Sequence, residues 1–355
     1  MSQHVEGRWK GSALAFLGVI LVSPDPTFLR LAARNGGTRW AMVCGKNVVM
    51  LPIFGVFAFL MLRGKCSTVR SSLCGSGAKF MVIGTCVQAC VNILFPLALI
   101  ETTAAKALLL ISMNPLWAAL IGRIVLKESL GRINTLAVAF GVISVLLVFA
   151  PDVVPSAAAV ADSHNGSSSM AVDNGSLHGD LIAVLTGAFV ASYISINRYV
   201  RQRQPRAQPA MAFVAVSGSF CAACVSLPMA AAEWAAPLAG GPAGKTGADA
   251  VQPMFYLLVT LAAVATSGVV IFAVTLAPRY IPAAEVALVV LLQNIFGPLA
   301  VYLAIGEAPS SWTLAGGGLL LATLAAKEGA LLASASRRPP SKDHAKDTSS
   351  KGTPV

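Results

Sequence analysis

Long apolar runs separated by short polar or charged stretches recur along the whole chain. They lie near residues 11–33, 40–62, 78–100, 102–125, 134–150, 179–200, 208–232, 253–277, 281–305 and 311–334. Each approaches the roughly 20 residues that a helix needs to cross a hydrocarbon core about 30 Å thick. Backbone groups in lipid have no water to bond, so runs of this length predict helices. The pattern therefore predicts an all-α integral membrane protein with ten transmembrane helices. The first run is interrupted by Ser23-Pro24-Asp25-Pro26, which leaves its end open. Outside the runs, residues 1–10 read as a polar tail, 151–178 as a loose loop rich in Ser, Gly, Ala and Asp, and 335–355 as a disordered tail.

Composition agrees. Of the 355 residues, 56% are hydrophobic and 12% charged, whereas soluble domains carry about 25% charge. A net charge of +11 raises nucleic acid as a partner, but the distribution of the basic residues argues for a lipid bilayer. With the N-terminus cytoplasmic, the inner segments hold clusters such as Arg63, Lys65, Arg70 and Lys79, or Arg198, Arg201, Arg203 and Arg206, while the outer ones keep Arg30, Arg34, Arg39 and Lys245. That is the positive-inside bias for ten spans with both termini cytoplasmic. The loop 151–178 has no Lys or Arg and carries two glycosylation sequons, at Asn165 and Asn174. Both fall on the face expected to be external. The polar stretch before the first span is short and the span itself too long for a cleaved signal, so no signal peptide is expected. The seven cysteines form no disulfide framework. Cys221-Ala-Ala-Cys224 has metal-like spacing but sits in an apolar run and reads as small packing residues. The four histidines lie in tails or the outer loop, so neither metal nor cofactor is expected.

Two segments offset by 179 residues match each other. Thr103-Ala104-Ala105-Lys106-Ala107 runs on to Asn114-Pro115 and closes at Lys127-Glu128; Pro282-Ala283-Ala284-Glu285-Val286 runs on to Gln293-Asn294 and Gly297-Pro298 and closes at Gly306-Glu307. The starts of the halves also correspond, Gly11 with Gly179 and Arg30 with Arg198. The chain thus divides into repeats 11–150 and 179–334. With five spans in each, the second enters the membrane from the opposite side, giving inverted repeats about an axis in the membrane plane. On these residues the chain resembles the EamA family of the drug/metabolite transporter superfamily over nearly all of 11–334. The resemblance implies ten helices, inverted five-helix repeats and alternating-access transport of a small organic solute. It leaves the solute open. Lys106 and Glu285 depart from the family pattern, since they place opposite charges at equivalent positions.

Intramembrane polar groups are expensive facing lipid, so they are expected to face the bundle interior. Asn114 with Pro115, and Gln293 and Asn294 with Pro298, fall mid-span. A proline removes one backbone donor and frees a carbonyl one turn earlier, so helix breaks and a substrate site are expected there; bonds to neighbouring helices are the plainer reading. Lys106 either snorkels to the interface or attracts a carboxylate or phosphate. Glu285 either caps a helix start or couples protons. Lys46 has no obvious carboxylate in its own helix and is a candidate for substrate or gate. Gln88 and Asn92, four apart, share a face, as do Tyr193 and Asn197; each pair lines a cavity or bonds another helix. Trp117 stacks on substrate or packs. Glu128 and Glu307 read as structural helix ends. Gly316-Gly317-Gly318 allows close helix approach, within the chain or in a homodimer.

No H-E-x-x-H, G-x-S-x-G or G-x-x-x-x-G-K-[ST] motif occurs, so neither an enzyme nor direct ATP drive is expected. The expected function is secondary transport of a small metabolite, anionic or zwitterionic, such as an amino acid. The alternative is a non-transporting receptor or scaffold. A plasma membrane or endomembrane location is expected.

Overall fold

A computed structural model describes residues 2–63, 77–124, 132–153, 177–203, 213–236, 252–268, 280 and 289–336. Among the described residues there is no strand, and the regular elements are twelve helices. They are α1 (Ser2–Val22), α2 (Asp25–Arg34), α3 (Arg39–Leu62), α4 (Gly77–Glu101), α5 (Ala104–Ile111), α6 (Asn114–Ile124), α7 (Arg132–Val153), α8 (Leu177–Arg203), α9 (Val214–Ala235), α10 (Pro253–Gly268), α11 (Gln293–Ile305) and α12 (Ser311–Ser336). Among the described residues, six segments are long and apolar enough to cross a membrane: Trp9–Arg34, Arg39–Leu60, Ala78–Glu101, Ala104–Arg123, Leu177–Val200 and Val214–Ala235. Shorter apolar helices cover Thr135–Phe149, Pro253–Ser267 and Val289–Ile305.

Hydroxyl side chains inside these helices bond their own backbone. Ser144 donates to the Phe140 carbonyl, Thr186 to Ile182 and Ser226 to Ala222, at 2.7–2.8 Å. An apolar helix can therefore carry them without exposing an unmade bond. Three discontinuities interrupt the expected spans. The first falls at Ser23-Pro24, where Ser23 Oγ donates to the Val19 carbonyl at 2.7 Å and α2 restarts at Asp25. The second falls at Ser112-Met113, so that α6 begins at Asn114 with Pro115 in its second position. A proline there lacks only an N–H that a helix start leaves unpaired anyway. Its absence also removes the donor for the Ile111 carbonyl, where α5 ends. The third is a turn at Leu292, before α11. Here the structure corrects the sequence reading, because Pro298 does not break its span. It lies inside α11. Leu292 N instead bonds the Val289 carbonyl, a tight three-residue step that places the turn six residues earlier.

The helices pack chiefly across the midpoint of the chain. α3 lies on α9 and α10, α4 on α8 and α9, α2 on α10 and α11, α5 on α8 and α11, and α7 on α12. Leu29, Leu99, Ala104, Leu108, Leu110, Ala183 and Val301 join in the largest buried cluster. The outer surface is apolar as well: Phe59, Leu146, Leu303 and Leu314 are all at least 61% exposed. Apolar side chains outside and charges inside reverse the order of a water-soluble fold, as a lipid surround requires.

Gly316 and Gly317 make close approaches within this chain. A Cβ on Gly316 would lie 2.7 Å from the Ser144 carbonyl oxygen of α7, and one on Gly317 would lie 2.4 Å from Leu109 Cδ1 of α5. Gly318 has nothing within 4 Å.

Candidate functional site

The break at Ser23-Pro24 makes Asp25 the first residue of α2, at the positive end of that helix's dipole. Its side chain is fully buried and meets Lys46 from the middle of α3, itself only 2% exposed. Lys46 Nζ donates to both carboxylate oxygens at 2.9 Å. Thr266 of α10 donates its hydroxyl to Asp25 Oδ2 at 2.8 Å. The ammonium also stands 5.1 Å from the Phe95 ring centroid of α4, within cation–π reach. Beside this cluster lies a small cavity bordered by Ser23, Asp25, Phe95, Leu108, Gln293 and Gly297. Its volume of about 10 Å³ has room for about one water. Among the described residues, Asp25 is the charged group on its wall. The carboxylate that the Lys46 reading lacked thus comes from a preceding helix, 21 residues away.

A second buried ion pair joins the two parts of the chain. Lys106 Nζ of α5 donates to Asp180 Oδ2 of α8 at 2.9 Å, and the Thr102 hydroxyl donates to Asp180 Oδ1. Lys106 is 4% exposed and Asp180 fully buried. Snorkelling is therefore corrected: the long stem points to a carboxylate inside the bundle, because an inward partner satisfies the ammonium where lipid-facing water is absent. Close by, Glu307 reaches the start of α5, where its Oε1 accepts from Ala104 N at 2.8 Å and from Arg30 Nη2 at 3.4 Å. Arg30 also donates to the Thr102 carbonyl. Gly306 adopts a left-handed φ of 79°, which ends α11 and turns the chain toward this contact.

The amides divide by position. Gln293 borders the cavity, and Asn294 beside it is buried. α5 and α11 meet through Leu108 and Gly297, where an added Cβ would lie 2.6 Å from Leu108 Cδ1. Asn114 is half-buried at the start of α6 and does not border the cavity. Gln88 and Asn92 form a relay between helices: Gln88 Nε2 donates to Asn92 Oδ1 at 2.9 Å, and Asn92 Nδ2 donates to Ser219 Oγ of α9 at 3.1 Å. Asn197 Nδ2 donates to the Tyr193 carbonyl at 3.0 Å, and the Tyr193 ring packs near Val200 and Val214. Trp117 packs with Met113, Leu116 and Leu320, away from the cavity. Glu285, Glu128, Asn165 and Asn174 lie outside the described residues.

Asp25, Thr266, Asp180 and Thr102 escaped the sequence reading as site residues. Asp25 carried a usable signal, a carboxylate within an apolar run, but its two flanking prolines made the stretch read as an interruption. Asp180 stands next to Gly179, where the second repeat begins, and drew no reading of its own. Thr266, in an apolar helix, and Thr102, between two of them, gave no signal.

No family model matches the chain, and no curated protein matches it. A solved structure described as "Crystal structure of protein" superposes over 92% of this chain and 99% of its own, with 17% identity and a TM-score of 0.48. Likeness at that level carries no argument about fold or function, so the reading of this chain rests on its own residues.

Proposed function

We propose that this chain is a multi-pass secondary transporter of the EamA type, moving a small anionic or zwitterionic organic solute by alternating access. Ten spans form two inverted five-helix repeats in this reading, with both termini cytoplasmic. The observation that carries it is the charged centre of Asp25 and Lys46, set at a helix discontinuity and bordering an interior cavity. Buried charge is costly, and in spans interrupted near the middle of the bundle it is the arrangement by which carriers meet polar solutes.

The packing order supports the repeats. Take α1–α2 as the first span, α5–α6 as the fourth, and the other helices as one span each. The second span then packs on the seventh, the fourth on the ninth and the fifth on the tenth. The third packs on the sixth as the eighth does on the first, and the third on the seventh as the eighth does on the second. Exchanging the halves leaves these pairings in place, as an approximate two-fold axis demands.

The test is flux in liposomes holding the purified chain, with and without ATP, across a panel of organic anions, amino acids and neutral metabolites. Saturable flux that is independent of ATP is expected. A folded protein that binds a solute without moving any would establish the receptor or scaffold alternative. Gln293→Ala is expected to weaken solute affinity about 2–12-fold, the equivalent of one neutral hydrogen bond of about 0.5–1.5 kcal/mol. Lys46→Ala is expected to weaken it further for an anion. Paired affinity and melting measurements on each variant separate binding from a structural role.

A further inference from the structure

We propose that Asp25 is the proton-coupling carboxylate of the solute site, and that its protonation frees Lys46 to hold one anionic group. This rests on the transporter reading and adds to it a coupling ion and a sign for the solute charge.

The geometry supplies the reason. The Lys46 ammonium is committed to Asp25, at 2.9 Å from each oxygen. An anion reaching Lys46 while Asp25 stayed ionised would set two negative charges against one positive in a buried place. An uncompensated buried charge is strongly unfavourable. A proton on Asp25 removes the conflict. The pair carries one positive and one negative charge at rest. One proton joins a carboxylate oxygen, the ion pair opens, and one monoanion takes the ammonium, so the sum remains zero. The O–H bond made on Asp25 is matched by the O–H bond broken in a hydronium ion, which leaves as neutral water.

The order of access fits. Asp25 borders the cavity beside it, and that cavity has room for about one water. The protonated form also keeps a partner. The Thr266 hydroxyl, which donates to Oδ2 in the ionised state, can rotate and accept from the new O–H, since a hydroxyl does both. The elements packed on α2 bring little else. α3 presents Lys46, α4 the Phe95 ring, α10 Thr266 and α11 the neutral Gln293. Lys46 is the one charged side chain facing Asp25 among the described residues. A hard metal cation, by contrast, asks for about six oxygen ligands and would meet the Lys46 ammonium.

Two readouts on the purified full chain in liposomes test this. The first is infrared titration of the carboxylic-acid C=O band, which needs no solute. A component of that band, rising as pH falls, is expected in the wild type and is expected to be missing in Asp25→Asn, the other Asp and Glu side chains contributing equally to both. The second is accumulation of radiolabelled monocarboxylates, dicarboxylates, phosphate monoesters and amino acids under an imposed pH or sodium gradient at zero membrane potential. A monoanion is expected to accumulate up to about tenfold per pH unit of gradient. In Asp25→Asn the gradient is expected to drive no accumulation, and residual exchange is expected to lose its pH dependence. Glu285→Gln is expected to keep both signals. Should Asp25→Asn fail to fold, Asp25→Asn/Lys46→Met removes both charges, which is often neutral for stability; it is expected to lose that component of the band and the anion flux. Flux with a band unaltered by either Asp25 variant overturns the coupling role alone. So does accumulation that follows sodium, that is restricted to zwitterions, or that is abolished by Glu285→Gln. No flux of any solute, with the band intact, overturns the transporter reading and the coupling role with it.

Discussion

Lys106 and Asp180 satisfy each other in a place where neither meets water. Removing one member of a buried ion pair takes the counter-charge from the other, and such losses cost about 3–5 kcal/mol. Lys106→Ala is therefore expected to lower the melting temperature of the purified protein by several degrees or to prevent its folding. Lys106→Met/Asp180→Asn is expected to recover most of that loss, because no charge then stays behind. A double variant as unstable as the single one would mean that the stem of Lys106, and not its charge, carries the effect. Both lysines were legible in the sequence as costly intramembrane cations. Their partners were not, because local pattern reports neighbours on one helix, and these carboxylates sit 21 and 74 residues away in sequence. The Gln88 and Asn92 face was legible for the opposite reason, its spacing being a property of a single helix.

At the scale of helices, the glycine triplet of α12 gives a graded test. Gly316 approaches a backbone carbonyl, which cannot move aside; Gly317 approaches the tip of a leucine, which can; Gly318 approaches nothing within 4 Å. Overpacking costs roughly 1–3 kcal/mol. Melting temperatures are expected to fall most for Gly316→Ala, less for Gly317→Ala and hardly at all for Gly318→Ala. Equal losses at all three positions would point to backbone effects on the helix instead of contact. Glu307 gives a second test. It satisfies an N–H at the start of α5, and a hydrogen bond to a charged group contributes about 1.5–3 kcal/mol. Glu307→Ala is expected to destabilise by that order, and Glu307→Gln by less, since an acceptor oxygen remains. The sequence marked Glu307 as a helix end. It did not reveal which helix the carboxylate serves, because that helix lies 203 residues earlier.

For the whole molecule, the proposed topology places residues 201–206 in the cytoplasm and 151–178 outside. Single cysteines introduced into each segment, probed in sealed cells with an impermeant maleimide, are expected to react at 151–178 only. The reverse pattern would overturn the proposed orientation, and reaction at both segments the single crossing between them. Long apolar helices could be read from composition and run length, since lipid imposes one simple demand on the backbone. Helix discontinuities were readable at Ser23-Pro24 and Asn114-Pro115, where proline stands beside the break. At Leu292 no proline marks the turn, and Pro298 drew attention to the wrong place.

The two ion pairs also differ in when they can form during synthesis. Asp25 precedes Lys46 in the chain, so Lys46 leaves the ribosome with its counter-charge already made. Lys106 precedes Asp180 by 74 residues, and at about 5–20 residues per second it waits roughly 4–15 s for its partner. Through that interval its helix is expected to rest beside the insertion machinery or at the interface, where the ammonium stays hydrated. A nascent chain halted before residue 180 would hold that helix loosely, and release would come with the first turn of α8. In the proposed topology, insertion of α5 is thus expected to be completed only once α8 arrives.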